Sequence, residues 1–325
     1  MENSSLIVMF TLSGLNETKE NKYVYFSLTL LGYFSIIFVN VTLMVTILLE
    51  RTLHEPMYIF LCNLSFNGLY GTAGFYPKFL ADILSDTHVI SYAGCFSQVF
   101  VIYSSVLCDF STLTVMAYDR YVAICRPLDY HSIMTNKNVG KLILLSWLLP
   151  LSCISGLISL SARLPLCGSH IEKLYCENWS IVRLSCGPTT LNNVYGYFVI
   201  LVFMGHVFFI LYSYMKLIIT CRTSSKGRGK FMQTCVPHLF TLINFTIALL
   251  FDTMYSRYGS KDFPQSLRNF LALEFLLIPP LFNPLVYGLK LTHIRTRMMR
   301  TLCKKHRDAV HEGSGGKHVI ALSGL

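Results

Sequence analysis

Seven apolar runs occupy most of this chain, and each is long enough to cross a lipid bilayer. They fall at about 24–49, 57–83, 92–124, 139–160, 194–219, 231–255 and 270–289. A helix needs roughly 20 residues for that span. Hydrocarbon leaves no water to satisfy backbone amides and carbonyls, so a spanning segment is a helix or part of a closed barrel. The runs show no alternation of apolar and polar residues, so helices are expected. With 53% hydrophobic and only 14% charged residues, against about 25% charged in soluble domains, one soluble core is a poor destination. The expected fold class is an all-α membrane protein, a seven-transmembrane helix bundle with a short amphipathic C-terminal helix.

Charge placement sets an expected orientation. With the N-terminus outside, eighteen of the 27 Lys and Arg face the cytoplasm and nine do not, in line with positive charge staying inside. The net charge of +10 then reads as membrane-surface charge, and no nucleic-acid motif accompanies it. Residues 1–23 lack a basic stretch followed by an apolar one, so the first run is expected to act as its own insertion signal. Three segments follow: an outer tail at 1–23, a helix bundle at 24–290 and a cytoplasmic tail at 291–325. Glycosylation is expected at Asn3, Asn16 and Asn178, whose sequons fall outside. The sequons at Asn40, Asn63 and Asn244 lie within runs and are expected to be silent.

Of eleven cysteines, Cys95, Cys167, Cys176 and Cys186 lie on or near the outer side. Four in an oxidising compartment point to two disulfides, with three connectivities open. The connection 161–193 holds three of them and is long enough to form a lid over the bundle. Cys303 follows a basic stretch after the last run and is a candidate for palmitoylation, or a plain buried thiol.

Two motifs carry chemistry. At the inner end of the third run stands Met116-Ala117-Tyr118-Asp119-Arg120-Tyr121-Val122-Ala123-Ile124-Cys125. An acid–Arg pair at a membrane edge either anchors the helix or holds a two-state contact. In the seventh run, Pro280-Leu281-Phe282-Asn283-Pro284-Leu285-Val286-Tyr287 contains a proline that cannot donate to the carbonyl four residues back. Asn283 is positioned by sequence to re-satisfy the freed groups. The alternative is a static kink.

Together these motifs resemble the rhodopsin-like G-protein-coupled receptors. Three further stretches narrow the resemblance to olfactory receptors: Leu53-His54-Glu55-Pro56-Met57-Tyr58-Ile59-Phe60-Leu61, the extended run ending in Asp119-Arg120-Tyr121, and the segment from Lys230 to Leu239 that includes His238. Asn67-Gly68-Leu69-Tyr70-Gly71-Thr72 has the flavour of fish-type receptors for water-borne odorants. The resemblance covers about 26–290. It implies disulfides Cys95–Cys176 and Cys167–Cys186. It also implies an inner switch of Asp119, Arg120, Tyr121, Tyr214, His238, Asn283, Pro284 and Tyr287, in which Arg120 meets a heterotrimeric G protein of the stimulatory or olfactory class. Trp147 matches the family's fourth-helix tryptophan. Gly68 departs from the usual Asp, leaving Asp109 as a weak sodium candidate, and Thr246 replaces an aromatic toggle, so Phe245 is expected to take its part. No cofactor is implied.

Helical spacing and family position place Ile102, Tyr103 and Val106 of the third run at an outer cavity. Tyr195, Phe198, Val199 and Val202 of the fifth face them, with Thr253 and Arg257 of the sixth. Arg257 cannot neutralise and presents a bidentate fork to a carboxylate. It could equally snorkel, or pair with Asp252 or Asp262. Glu274 is an ionisable group within the seventh run. It is a candidate for a ligand ammonium, or a group bonded to a neighbouring helix. The expected function is detection of a small water-soluble odorant, a carboxylate or amino acid, at the plasma membrane of olfactory cilia. A non-olfactory receptor of the same fold and a transporter or channel are the alternatives. An enzyme is not expected: the ten His residues are scattered and no nucleophile–base or phosphate-loop motif is present.

Overall fold

The computed structural model describes residues 9–13, 21–221, 236–259, 270, 273–274 and 276–284. Six of the seven apolar runs form long helices there: α1 (Lys22–Leu49), α2 (Pro56–Leu84), α3 (Tyr92–Cys125), α5 (Asn136–Ser161), α7 (Thr190–Cys221) and α8 (Val236–Tyr258). Residues 276–284 are helical within the seventh run. Two short helices, α4 (Tyr130–Ile133) and α6 (Asn178–Val182), lie in connections.

The helix boundaries have local causes. Pro56 opens α2, where its missing N–H would have lacked a partner anyway. Ser91 caps α3 by accepting from the Gly94 amide at 3.1 Å, and Thr135 caps α5 by accepting from Asn138 at 3.4 Å. By length and apolarity α1, α3, α5 and α7 are each able to cross a membrane. Their packing differs. The apolar stretch of α3 is 72% buried, against 28% in α1 and 22% in α7. So α3 is the axis, packed against α2, α5 and α7, while α1, α5 and α7 turn residues such as Phe34, Leu145 and Phe208 outward.

Polar side chains tie the helices where no water competes. Asn63 of α2 donates to Thr112 of α3 at 3.0 Å and accepts from Trp147 Nε1 of α5 at 2.8 Å. His206 of α7 and Ser111 of α3 share a 3.1 Å hydrogen bond. Phe110 stacks on Phe245 with centroids 4.7 Å apart and meets Phe203 edge-on at 4.4 Å, closing the middle of the bundle.

At one end the connections form a cover. β1 (Met9–Leu12), β2 (Val89–Ser91) and β3 (His170–Ile171) make a three-stranded sheet in the order β2-β1-β3. β1 runs antiparallel to β2 and parallel to β3. Its alternation buries Phe10 and Leu12. The stretch 1–23 thus holds an ordered strand that reading it as a polar tail did not anticipate. Cys95–Cys176 fastens the 161–193 connection to α3, and Cys167–Cys186 closes that connection on itself, with Cα–Cα distances of 5.4 and 5.6 Å.

Candidate functional site: a covered cavity and an acid–arginine end

Under the cover lies a cavity of about 90 Å3. Its walls come from α3, α5, α7 and α8, and its roof from the segment after Cys176. The walls are mostly apolar: Val106, Leu107, Ile154, Leu157, Phe203 and Leu249 are all at most 8% exposed. Two charged side chains break that lining, Glu177 from the roof and Arg257 from α8.

Arg257 lies between two rings. Its guanidinium carbon lies 4.3 Å from the Trp179 ring centre and 4.9 Å from that of Tyr197, an arrangement that planar Arg favours. Nη1 donates to Asn193 Oδ1 at 3.1 Å. Nε is buried without a partner, as is Trp179 Nε1. Among the described residues no carboxylate approaches within ion-pair distance of Arg257. Gly196 makes this placement possible, because a Cβ there would run into Arg257 Nη2.

Asp252 does not pair with Arg257. It is buried one turn deeper on α8 and accepts from Lys173 Nζ at 2.7 Å and from the Tyr175 hydroxyl at 3.2 Å. Lys173 also lies 3.1 Å from Glu177 Oε2, so one lysine bridges two carboxylates. Burial pulls the Lys173 pKa down, but the Asp252 and Glu177 carboxylates raise it by more, and it stands above its ordinary value. Burial drives the Tyr175 hydroxyl well up, with Asp252 adding to the shift. This group, 7% exposed or less, joins the cover directly to α8.

The structure brings together half of the expected pocket residues. Tyr103, Val106, Val199, Thr253 and Arg257 line the cavity. The other five do not. Ile102 is fully buried in helix packing. Phe198 is 49% exposed on the outside of α7. Val202 offers its carbonyl to His206 at 2.8 Å, and Tyr195 packs beside Gly156. Glu274 accepts from Asn244 at 2.8 Å, bonded to a neighbouring helix. The roof residues Glu177, Asn178 and Trp179 were missed. The available signal was Cys176: residues next to a cysteine bonded to α3 must sit over the bundle mouth. Asn178, expected as a glycosylation site, is 7% exposed and its Oδ1 accepts from Ser161 at 2.8 Å. Asn3, Asn16, Asp262, Tyr287 and Cys303, with the expected C-terminal helix, lie outside the described residues. The same holds for the side chain of His238.

At the opposite end, Asp119 is fully buried and accepts from Arg120 Nη2 at 2.6 Å and Nε at 3.0 Å. Tyr130 of α4 donates to its second oxygen at 2.8 Å. That contact brings a third residue to the pair. Burial, then Asp119, pushes the Tyr130 pKa up. Arg120 and Tyr121 remain partly exposed, and Tyr214 is buried. In the seventh run Asn283 and Pro284 are buried. The Pro280 carbonyl accepts from Asn40 Nδ2 of α1 at 2.8 Å, a donor from another helix that the sequence did not reveal. Asp109 accepts from Asn67 at 2.7 Å, and the described residues contain no cluster of three metal-ligating side chains.

The sequence that builds this bundle has known relatives. The olfactory receptor family model matches residues 28–305. Human Olfactory receptor 52D1 is 34% identical over 81% of this chain and 84% of its own length. Human Olfactory receptor 7C1 is 36% identical over 91% and 92%. Rat Olfactory receptor 1 is 34% identical over 93% and 97%. The chain belongs to the olfactory receptor family, whose members are seven-transmembrane, non-enzymatic receptors for odorants that act through G proteins.

Proposed function

We propose that this receptor detects a small water-soluble odorant bearing a carboxylate, and that it signals through a stimulatory or olfactory G protein to raise cAMP. One observation carries the ligand class: Arg257 lines the cavity with a buried, unpartnered Nε and no carboxylate beside it among the described residues. A partly buried guanidinium without an anion carries a desolvation cost, and a ligand carboxylate would offset that cost through paired, charge-assisted hydrogen bonds. The cover end faces outward and the Arg120 end faces the cytoplasm, in keeping with the distribution of Lys and Arg. Asp119 holds Arg120 at rest, and its release presents Arg120 to the G protein. The plasma membrane of sensory cilia is the proposed location, with glycans at Asn3 and Asn16 and a lipid anchor at Cys303.

The test is ligand-evoked cAMP in cells expressing the receptor, with a panel of carboxylates, amines and neutral odorants. The wild type should respond to carboxylates, and Arg257→Gln should lose that response while reaching the cell surface. An Arg257→Gln receptor that answers the same acid at the same concentration refutes the ligand class. A ligand-evoked current without G-protein involvement refutes the signalling route.

A further inference from the structure

Two opposite charges in this cavity lack compensation. Lys173 is shared by Glu177 and Asp252, so that buried group carries one negative charge in excess. Arg257 carries a positive charge and, among the described residues, its guanidinium meets an amide oxygen and two aromatic rings but no carboxylate. Glu177 is 3% exposed and lines the cavity. Both of its recorded polar contacts, from Lys173 and from Ser180 at 2.8 Å, fall on Oε2. Oε1 receives no hydrogen bond from a described residue.

A simple carboxylate would satisfy Arg257 and leave the acidic excess in place. A simple amine would do the reverse. A ligand carrying both groups answers both, and its own net charge of zero matches the balance of the lining. The walls between the poles are mostly aliphatic and aromatic, with Tyr103, Thr253 and Trp179 Nε1 as the few polar groups among them, so the larger part of the lining suits an apolar side chain.

Resting on the carboxylate reading above, we infer that the ligand is an α-amino acid with an apolar side chain, its carboxylate on Arg257 and its ammonium on Glu177 Oε1. Glu177 is thus a specificity-determining residue supplied by the cover rather than by a membrane helix. Glu274, bonded to Asn244 and outside the lining, has no part in it.

The experiment uses the full-length receptor in cells with a cAMP readout and surface staining. Three pools are compared: valine, leucine, isoleucine, methionine and phenylalanine; the same skeletons without the amino group; and the same skeletons without the carboxylate. The amino-acid pool should act at about tenfold lower concentration than either other pool, the expected scale for one charge-assisted hydrogen bond. Glu177→Gln should abolish that advantage over the deaminated pool, and Glu177→Asp, which keeps the charge, should retain part of it. A wild type that answers the deaminated pool as well as the amino acids overturns the role of Glu177 and leaves the carboxylate reading standing. Equal responses in Glu177→Gln and wild type overturn it in the same way. A surface-expressed wild type silent to all three pools, or driven by the amines alone, overturns both readings. Because the wild type alone decides the preference, a poorly folding variant does not rescue the proposal.

Discussion

The Lys173 bridge can be tested by removing its members one at a time. Lys173→Met leaves the Asp252 and Glu177 carboxylates buried without their cation, retaining hydroxyl donors from Tyr175 and Ser180. Breaking a buried ion pair by deleting one partner costs about 3–5 kcal/mol, because the survivor stays desolvated and unpaired. Asp252→Asn is milder: Lys173 keeps Glu177 at 3.1 Å, and the amide that replaces the carboxylate still offers an oxygen to Tyr175. Its cost should fall near or below the lower end of that range. The double variant removes the stranded Asp252 charge, so it should be more stable than Lys173→Met alone by about 1–3 kcal/mol, a coupling expected of residues in direct contact. The assay is thermal unfolding of the purified receptor, and the ranking decides the matter. Asp252→Asn should lie closest to wild type, the double variant next, and Lys173→Met lowest. The sign of the Lys173 shift adds a pH condition. Its folded pKa is raised, so its contribution is fully present below the ordinary lysine pKa of about 10.4 and is lost only above it. In the wild type that contribution should therefore be the same at mildly acidic and neutral pH, and a gap to Lys173→Met that narrows as the pH falls would come from the stranded carboxylates taking up protons. A double variant no more stable than Lys173→Met would refute the bridge.

Other consequences are more direct. Gly196→Ala should raise the half-maximal concentration of a carboxylate agonist in a dose–response assay, because the new methyl displaces Arg257, while surface expression holds. Asp119→Asn should raise ligand-independent cAMP by freeing Arg120, and Tyr130→Phe should do so more weakly, losing one hydrogen bond worth about 1 kcal/mol. Asn40→Ala strands the Pro280 carbonyl at a cost of about 1–3 kcal/mol, which should appear as a lower melting temperature. Loop-closure entropy assigns about 4.5 kcal/mol to the Cys95–Cys176 bond, separated by 81 residues, and about 3 kcal/mol to Cys167–Cys186, separated by 19. Cys95→Ser should therefore reduce surface expression more than Cys167→Ser.

Much of the bundle is legible in the sequence because hydrocarbon leaves so few options: an apolar run of that length has to satisfy its own backbone. The acid–Arg end was legible too, since Asp119 and Arg120 are adjacent in the chain. What escaped depends on residues far apart in sequence. Asn40 meets the Pro280 carbonyl across 240 positions, and Tyr130 reaches Asp119 only because α4 folds back beneath α3. Helical spacing puts Tyr103 and Val106 on the stripe of α3 that lines the cavity. It could not tell Val199, on the inner face of α7, from Phe198 beside it, because α7 is apolar all round and its period carries little information. Asp252 and Arg257 look equivalent as candidate partners on one helix, and only the lysine of the cover separates them.

The placement of β1 also constrains how the protein can be made. Thr11 bonds to the Ser169 carbonyl at 2.8 Å, across 158 positions of chain. At about 5–20 residues per second, a ribosome takes roughly 8–30 s to deliver that acceptor after the strand has emerged. By then four helices have been threaded into the bilayer. Until that moment β1 can pair only with β2, and Phe10 can pack only on the residues around Ile90 and Tyr92, so the nascent receptor passes through an interval in which its first strand is held along one edge alone.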